Sequence, residues 1–302
     1  MLIAQITDLH VVDRGQKLAG VLDTNAMARA ALAHLNTLVP RPDVVLVTGD
    51  LAEHGQASEY AVLRELLDGL AMPYYVIPGN HDRRTPLLAA FAAHAESSPA
   101  GFVQYVIDSY PVRLVALDTV SEGRQDGLLC SARLTWLEET LAGAPERPTL
   151  LFMHHPPFAT GIWWLDTAGL ASATALRQVV ARHPQVGRII CGHIHRPIQT
   201  AWGGTLVTVA PSTAYQVHLD LGPERPPQCI LEPPACQLHV FDGQGFVTHT
   251  SYVNWPQPPI DVSSFLGDWE TVKAERRARQ AALQETARRD PRGAQAPWRR
   301  ED

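Results

Sequence analysis

Short apolar runs that end on a polar residue recur along this chain: Leu2 to Thr7, Val44 to Thr48, Tyr74 to Ile77, Leu114 to Leu117, Leu150 to Met153 and Arg188 to Cys191. Such near-continuous Val, Ile and Leu runs are the pattern of strands buried on both faces. Between them, Thr24 to Leu38, Ser58 to Leu70, Ala132 to Leu141 and Ser172 to Ala181 carry apolar residues at helical spacing. Asp23, Thr24, Ser58, Ser131 and Ser172 stand where N-caps are expected. The alternation predicts α/β layering.

After Gly192 the texture changes. Residues 203 to 221 read as strands with turns, and residues 222 to 236 hold five prolines, which exclude a regular helix or central strand. A closing hairpin, Gln237 to Phe241 and Phe246 to Val253, is expected around Asp242-Gly243. From about residue 268 the pattern is that of a solvated helix followed by a disordered tail.

Composition narrows the function classes. The 302 residues are 45% hydrophobic, enough for a full core. Net charge is −6, yet residues 271 to 302 hold nine Lys or Arg against five Asp or Glu, which leaves the first 270 residues at about −10. An acidic body is a poor footprint for nucleic acid, so neither a nuclease nor a stable nucleic-acid complex is expected. The basic tail, with Arg276, Arg277, Arg279, Arg288 and Arg289, reads as a solvated face. No apolar run approaches the ~18 residues of a membrane span. The N-terminal Met-Leu-Ile-Ala-Gln-Ile-Thr-Asp reads as a strand rather than a secretory signal, so a cytoplasmic protein is expected. Cys130, Cys191, Cys229 and Cys236 form no Cys-x-x-Cys pair; Cys191 reads as a buried apolar residue, and a Cys229–Cys236 disulfide stays open.

Five strand ends carry residues from one chemical menu: Asp8-Leu9-His10, Gly49-Asp50, Gly79-Asn80-His81-Asp82, His154-His155 and Gly192-His193-Ile194-His195. One such ending is usually a turn; five together point to a metal site, since C-terminal strand ends converge in space. Imidazole, carboxylate and amide donors without thiolate suit first-row ions such as Fe, Mn, Zn or Co. His193 and His195 would point to opposite faces of an extended chain, so the chain must turn there or the site must hold two ions. A bridging carboxylate is then needed, and Asp50 is the candidate. No Gly-x-Ser-x-Gly elbow, Walker loop or Rossmann fingerprint competes with this reading.

This ordered motif set, from Asp8 to His195, resembles the calcineurin-like metallophosphoesterases. A closer resemblance, to bacterial glycerophosphodiester phosphodiesterases and the class III cyclic-nucleotide phosphodiesterases grouped with them, extends through Arg14-Gly15-Gln16-Lys17, Asp23-Thr24-Asn25-Ala26 and Pro211-Ser212-Thr213 to about residue 255. It implies a four-layer α-β-β-α sandwich of two mixed sheets. Residues 1–200 would form the catalytic core, 201–255 a cap or dimerisation excursion with return strands, and 256–302 a C-terminal helix and tail. It implies two divalent or trivalent metal ions, one held by Asp8, His10, Asp50 and His195, the other by Asp50, Asn80, His154 and His193. Asn80 would be the labile ligand of the weaker site, and His81 would touch the phosphoryl oxygens and assist the leaving group.

His155 is expected to support a ligand or pack, and Asp82 to cap the next helix or orient His81. Tyr215 stands where relatives often carry His; its phenol can donate to a phosphate but is no equivalent proton carrier near neutral pH. His218 reads as a surface residue. Trp163 and Trp164 are candidates to wall the substrate pocket, with packing or a subunit contact as the alternative. The expected activity is hydrolysis of small phosphodiesters of the glycerophosphodiester type, by in-line attack of a metal-activated water, with some tolerance of monoesters. The alternative is a 3′,5′-cyclic-nucleotide phosphodiesterase, and the resemblance favours a homo-oligomer. A metal-free interaction scaffold would not be expected to keep all seven ligand positions.

Overall fold

The computed structural model describes residues 1–222, 226–253 and 260–289, which fall into two compact units, Met1–Trp255 and Pro256–Asp302. The first unit begins with β1 (Leu2–Ile6), α1 (Thr24–Thr37), β2 (Val44–Thr48), α2 (Ala57–Leu67), β3 (Tyr74–Ile77) and α3 (Arg84–Ala90). It continues with β4 (Tyr105–Ile107), β5 (Arg113–Leu117), α4 (Ser131–Ala142), β6 (Thr149–Met153), the one-turn α5 (Trp163–Asp166), α6 (Ala173–Ala181) and β7 (Val186–Cys191). It closes with β8 (Ile198–Trp202), β9 (Thr205–Val209), β10 (Gln216–Val217), β11 (Cys229–Ile230), β12 (Ala235–Phe241) and β13 (Phe246–Tyr252).

These strands form two mixed sheets, ordered β13-β12-β1-β2-β3 and β4-β5-β6-β7-β9-β8, with β10-β11 as a separate ribbon. Within each sheet the central strands run parallel, β1-β2-β3 in one and β5-β6-β7-β9 in the other, and antiparallel strands flank them. β2 and β6 are buried at every position, as their unbroken apolar runs require. Leu32 and Leu35 of α1 and Tyr60 and Leu63 of α2 pack with the first sheet in a core that also takes in Leu114, Leu150, Phe152 and Ile190 of the second. Leu137 and Leu141 of α4 and Leu176 of α6 cover the far face of the second sheet. The order is therefore helix, sheet, sheet, helix, and all the parallel strands deliver their C-terminal ends to one edge.

Helix starts differ from the sequence expectation at several points. Asp23 caps α1 by accepting from the Ala26 N–H, but Thr24 donates instead to the His10 carbonyl. Gln56, not Ser58, stands at the cap of α2, with Glu59 returning to its backbone, and Cys130 rather than Ser131 precedes α4. Ser172 holds the cap position of α6 while its hydroxyl accepts from Leu129 N–H, across to the neighbouring segment. For Thr24 and Ser172 a tertiary partner outweighs a local cap worth about 1 kcal/mol. All four cysteines are free, and Cys191 and Cys236 are buried.

In the second unit a short turn, Ser263–Leu266, precedes α7 (Trp269–Arg289), where the Asp268 carboxylate accepts from the Thr271 N–H. The expected tail beyond residue 289 and Pro223 of the proline-rich stretch lie outside the described residues. Among the described residues, no helix is long and apolar enough to cross a membrane.

Candidate metal centre

The seven candidate ligands all lie just past strand ends: Asp8 and His10 after β1, Asp50 after β2, Asn80 after β3, His154 after β6, and His193 and His195 after β7. All but Asn80 are buried. Asp8, His10, Asp50, His193 and His195 have positive φ, between 47° and 73°, a left-handed conformation that costs a non-glycine residue about 1–3 kcal/mol. These turns are held from outside: Asp8 N–H donates to Gly49 O and His10 N–H to Asp50 O, each at 3.0 Å. His193 N–H donates to the Asp8 carboxylate at 3.1 Å. The paired left-handed turns also answer how His193 and His195 reach one site, since the chain there is not extended. Close approach explains two glycines: a Cβ at Gly79 would collide with the Asp50 carboxylate, and one at Gly192 with Asp8 and Thr7.

The side chains gather in two groups that share Asp50. On one side, ligand atoms of Asp8, His10, Asp50 and His195 all lie within 4.8 Å of one another. His195 Nε2 is 3.2 Å from Asp8 Oδ1 and 3.2 Å from His10 Nε2. On the other side, Asn80 Oδ1 is 2.9 Å from His193 Nδ1 and 3.0 Å from His154 Nε2, and His154 Nε2 is 3.4 Å from Asp50 Oδ2. His155 lies beside this second group but has no atom to offer: its Nε2–H donates to Gln125 O and its Nδ1 accepts from the Thr119 hydroxyl.

The donor chemistry of this arrangement fits cations. Four rings each keep one nitrogen on an acceptor outside this circle, and in the neutral ring that nitrogen carries the proton. His10 Nδ1–H donates to Glu53 at 2.7 Å, His195 Nδ1–H to Tyr215 O at 2.9 Å, His154 Nδ1–H to Thr48 O at 2.9 Å, and His193 Nε2–H to Ala168 O at 3.1 Å. In each neutral ring the remaining nitrogen is a lone pair, and all four aim inward at the carboxylates and the Asn80 oxygen. With all four rings neutral this buried set of acceptors is repulsive unless positive charge lies between them, either metal ions or the protons that Asp50 and Asp8 draw onto His154 and His195. Supporting partners of this kind are also what orient metal-binding imidazoles.

The electrostatics agree. Burial alone would raise the Asp50 carboxyl, yet His154, His81 and His10 hold it well below the usual range. Asp8 shows the same balance, with His195 the strongest opponent of burial, and is lowered. Burial would lower His154, but Asp50 and Asp8 lift it to about 9. His193 goes the other way, driven well down by burial and by neighbouring His155 and His154. The carboxylates are thus held charged by the imidazoles around them, while His193 is kept as a neutral base.

His81 leaves this circle. Its Nδ1–H donates to Glu53 O at 2.9 Å, its ring meets His10 edge-on at 4.8 Å, and it lines a groove of about 420 Å³ together with Asn80. The Tyr215 ring lies against His195 and His10, at 4.6 and 5.4 Å between centroids. Asp82 neither caps α3 nor orients the His81 ring. Its buried carboxylate accepts from Gly79, Leu51 and Ala52 N–H and from the Tyr60 hydroxyl, tying the ends of β2 and β3 together. Trp163 and Trp164 share a small crevice with His218, Asp220 and Gln228 of the segment that joins β10 to β11, and His218 is exposed. Glu53 is the site residue that sequence reasoning missed; its only signal was an acid three residues past Asp50.

Comparison with known proteins agrees with this geometry. The profile of the family described as calcineurin-like phosphoesterase matches residues 1–197. A probable glycerophosphodiester phosphodiesterase of Arcobacter nitrofigilis is 35% identical, over 89% of this chain and 99% of the relative. A probable cyclic nucleotide phosphodiesterase of Rhodopseudomonas palustris is 40% identical, over 82% of this chain and 95% of the relative. Among solved structures, a dimetal phosphatase from Danio rerio has a similar fold, with a TM-score of 0.65 at 17% identity over 84% of this chain and 96% of that one.

Proposed function

Because the chain belongs to the calcineurin-like phosphoesterase family, we propose that it is a two-metal hydrolase of small phosphodiesters, acting first on glycerophosphodiesters. The observation that carries the reading is the buried ring of imidazole nitrogens gathered around Asp8, Asp50 and Asn80. Asp8, His10, Asp50 and His195 would hold one ion, and Asp50, Asn80, His154 and His193 the other. When bound, the ions supply Lewis acidity toward the phosphoryl oxygens and the attacking water.

The remaining tasks fall to the chain. Glu53 and the Thr48, Ala168 and Tyr215 carbonyls hold the imidazoles in the tautomers the site requires. His81 is anchored through Nδ1, which leaves Nε2 to meet the phosphoryl group and to give a proton to the departing alkoxide. Burial opposes charge on His81, but Asp50 and Glu53 raise its pKa, which favours the protonated form that an acid needs. The Tyr215 phenol, pushed well up by burial, stays protonated as a hydrogen-bond donor to the diester.

Relatives named for glycerophosphodiesters and for cyclic nucleotides both match over most of this chain, so cyclic AMP is the second substrate to test. Exposed Trp163, Leu219, Leu221 and Leu231 around the β10–β11 ribbon favour a homo-oligomer, to be read by light scattering. The deciding assay compares kcat/KM of enzyme loaded with Mn, Zn, Co or Fe on glycerophosphoethanolamine, cyclic AMP, bis(p-nitrophenyl) phosphate and a phosphomonoester. Highest activity on the glycerol diester is expected. A clear preference for cyclic AMP would replace the substrate, and no turnover of any diester would end the reading.

A further inference from the structure

The groove that begins at Asn80 and His81 runs on to Arg83, His54, Glu122 and Arg124. Most of its charges are already engaged. Glu53 accepts from His10, and His54 is 2.8 Å from Glu59. Glu122 is 3.3 Å from Arg84, and Arg124 is forked onto Asp126 at 2.7 and 3.0 Å. The exception is Arg83. Its side chain is exposed, and its guanidinium has no ion pair or hydrogen bond among the described residues. Its base, by contrast, is fixed. The Arg83 N–H donates to the Tyr60 hydroxyl at 3.0 Å, and its stem lies over the backbone of Gly55, where an added Cβ would come within 2.9 Å of Arg83 Cγ. A held stem with a free head, two residues beyond His81, is an arrangement for reading something else.

We propose that Arg83 determines substrate preference by binding a second anionic group on the alcohol that leaves, so that the protein favours phosphodiesters whose leaving alcohol itself carries a negative charge. The proposal rests on the phosphodiesterase reading above and deepens it. A guanidinium presents a planar fork that matches carboxylate or phosphate oxygens, which a lone ammonium does not. The groove also lacks the chemistry of the competing alcohols. Among the described residues that line it there is no Phe, Tyr or Trp, so it offers no aromatic cage for a quaternary ammonium, and a base could stack only on the small rings of His54 and His81. The carboxylates that would hold a cationic head, Glu53 and Glu122, are engaged by His10 and Arg84.

The test uses a matched pair on the metal-loaded full chain: glycerophosphoserine and glycerophosphoethanolamine, which differ by one carboxylate. Wild type should favour the serine diester in kcat/KM by about tenfold, the scale of an exposed charge-assisted contact. Arg83→Ala should bring the ratio near one, with the loss falling on the serine diester; Arg83→Lys should keep part of it and Arg83→Glu should invert it. Raising salt should shrink the wild-type ratio. A wild-type ratio near one, or an Arg83→Ala variant that weakens both diesters equally, overturns the proposal alone. No turnover of either diester or of bis(p-nitrophenyl) phosphate would defeat the phosphodiesterase reading and the proposal with it.

Discussion

Asp8, His10 and His195 lie on one side of Asp50, and Asn80, His154 and His193 on the other, with different charge. The first side has two buried carboxylates, and His10 is backed by a third, Glu53. The second has only its share of Asp50 and a neutral amide, and its imidazoles are backed by the carbonyls of Thr48 and Ala168. Neutral His155, driven down to about 3 by burial and by His154, adds no charge although its ring centroid is 4.6 Å from His193. For hard or borderline cations, affinity follows ligand charge and second-layer carboxylates. The first side should therefore hold its ion firmly, and the second should release its ion readily.

The largest effect should come from the residue that belongs to both sides. Asp50→Ala should lose both ions and drop diester hydrolysis to background, read by metal analysis beside the assay. Next is Glu53→Gln, which removes the carboxylate behind His10. It should weaken binding on the first side by about 10–100-fold while the second keeps its affinity, measured by competition titration. Asn80→Asp adds a charge where the contrast says one is missing. It should tighten the second side by about tenfold and slow turnover, because a held ion yields less easily to substrate.

The smallest effect concerns pH in metal-stripped protein. With His154 at about 9 when folded against about 6.5 unfolded, its contribution is complete below pH 6.5 and is lost as pH rises through 9. Melting temperature of the stripped protein should fall by a few degrees between pH 6.5 and 9. Metal affinity should rise over the same window, since fewer protons compete. A flat profile in both would mean that His154 carries no such proton.

How far the sequence could be read follows the same division between side chains and backbone. β2 and β6, whose apolar runs stop at Gly-Asp and His-His, are legible because every position is buried, and the candidate ligands stand out as the polar residues that end such runs. The backing of those ligands was not, because Thr48, Ala168 and Tyr215 act through carbonyls that any residue supplies. Glu53 carries no motif of its own, and only the pairing of β1 with β2 brings it to His10. The expectation that Asp82 caps the next helix or orients His81 fails because its four partners come from the ends of β2 and β3 and from Tyr60 of α2. The short edge strands β4 and β8 lack the long apolar run that marked the central ones.

The most direct test is a manganese titration of metal-stripped protein, followed by the free-ion signal in electron paramagnetic resonance. Two ions per chain should bind in two affinity classes, with Glu53→Gln weakening only the tighter class and Asn80→Asp strengthening only the looser. A single class, fewer than two ions, or a Glu53→Gln effect on the looser class would contradict the account.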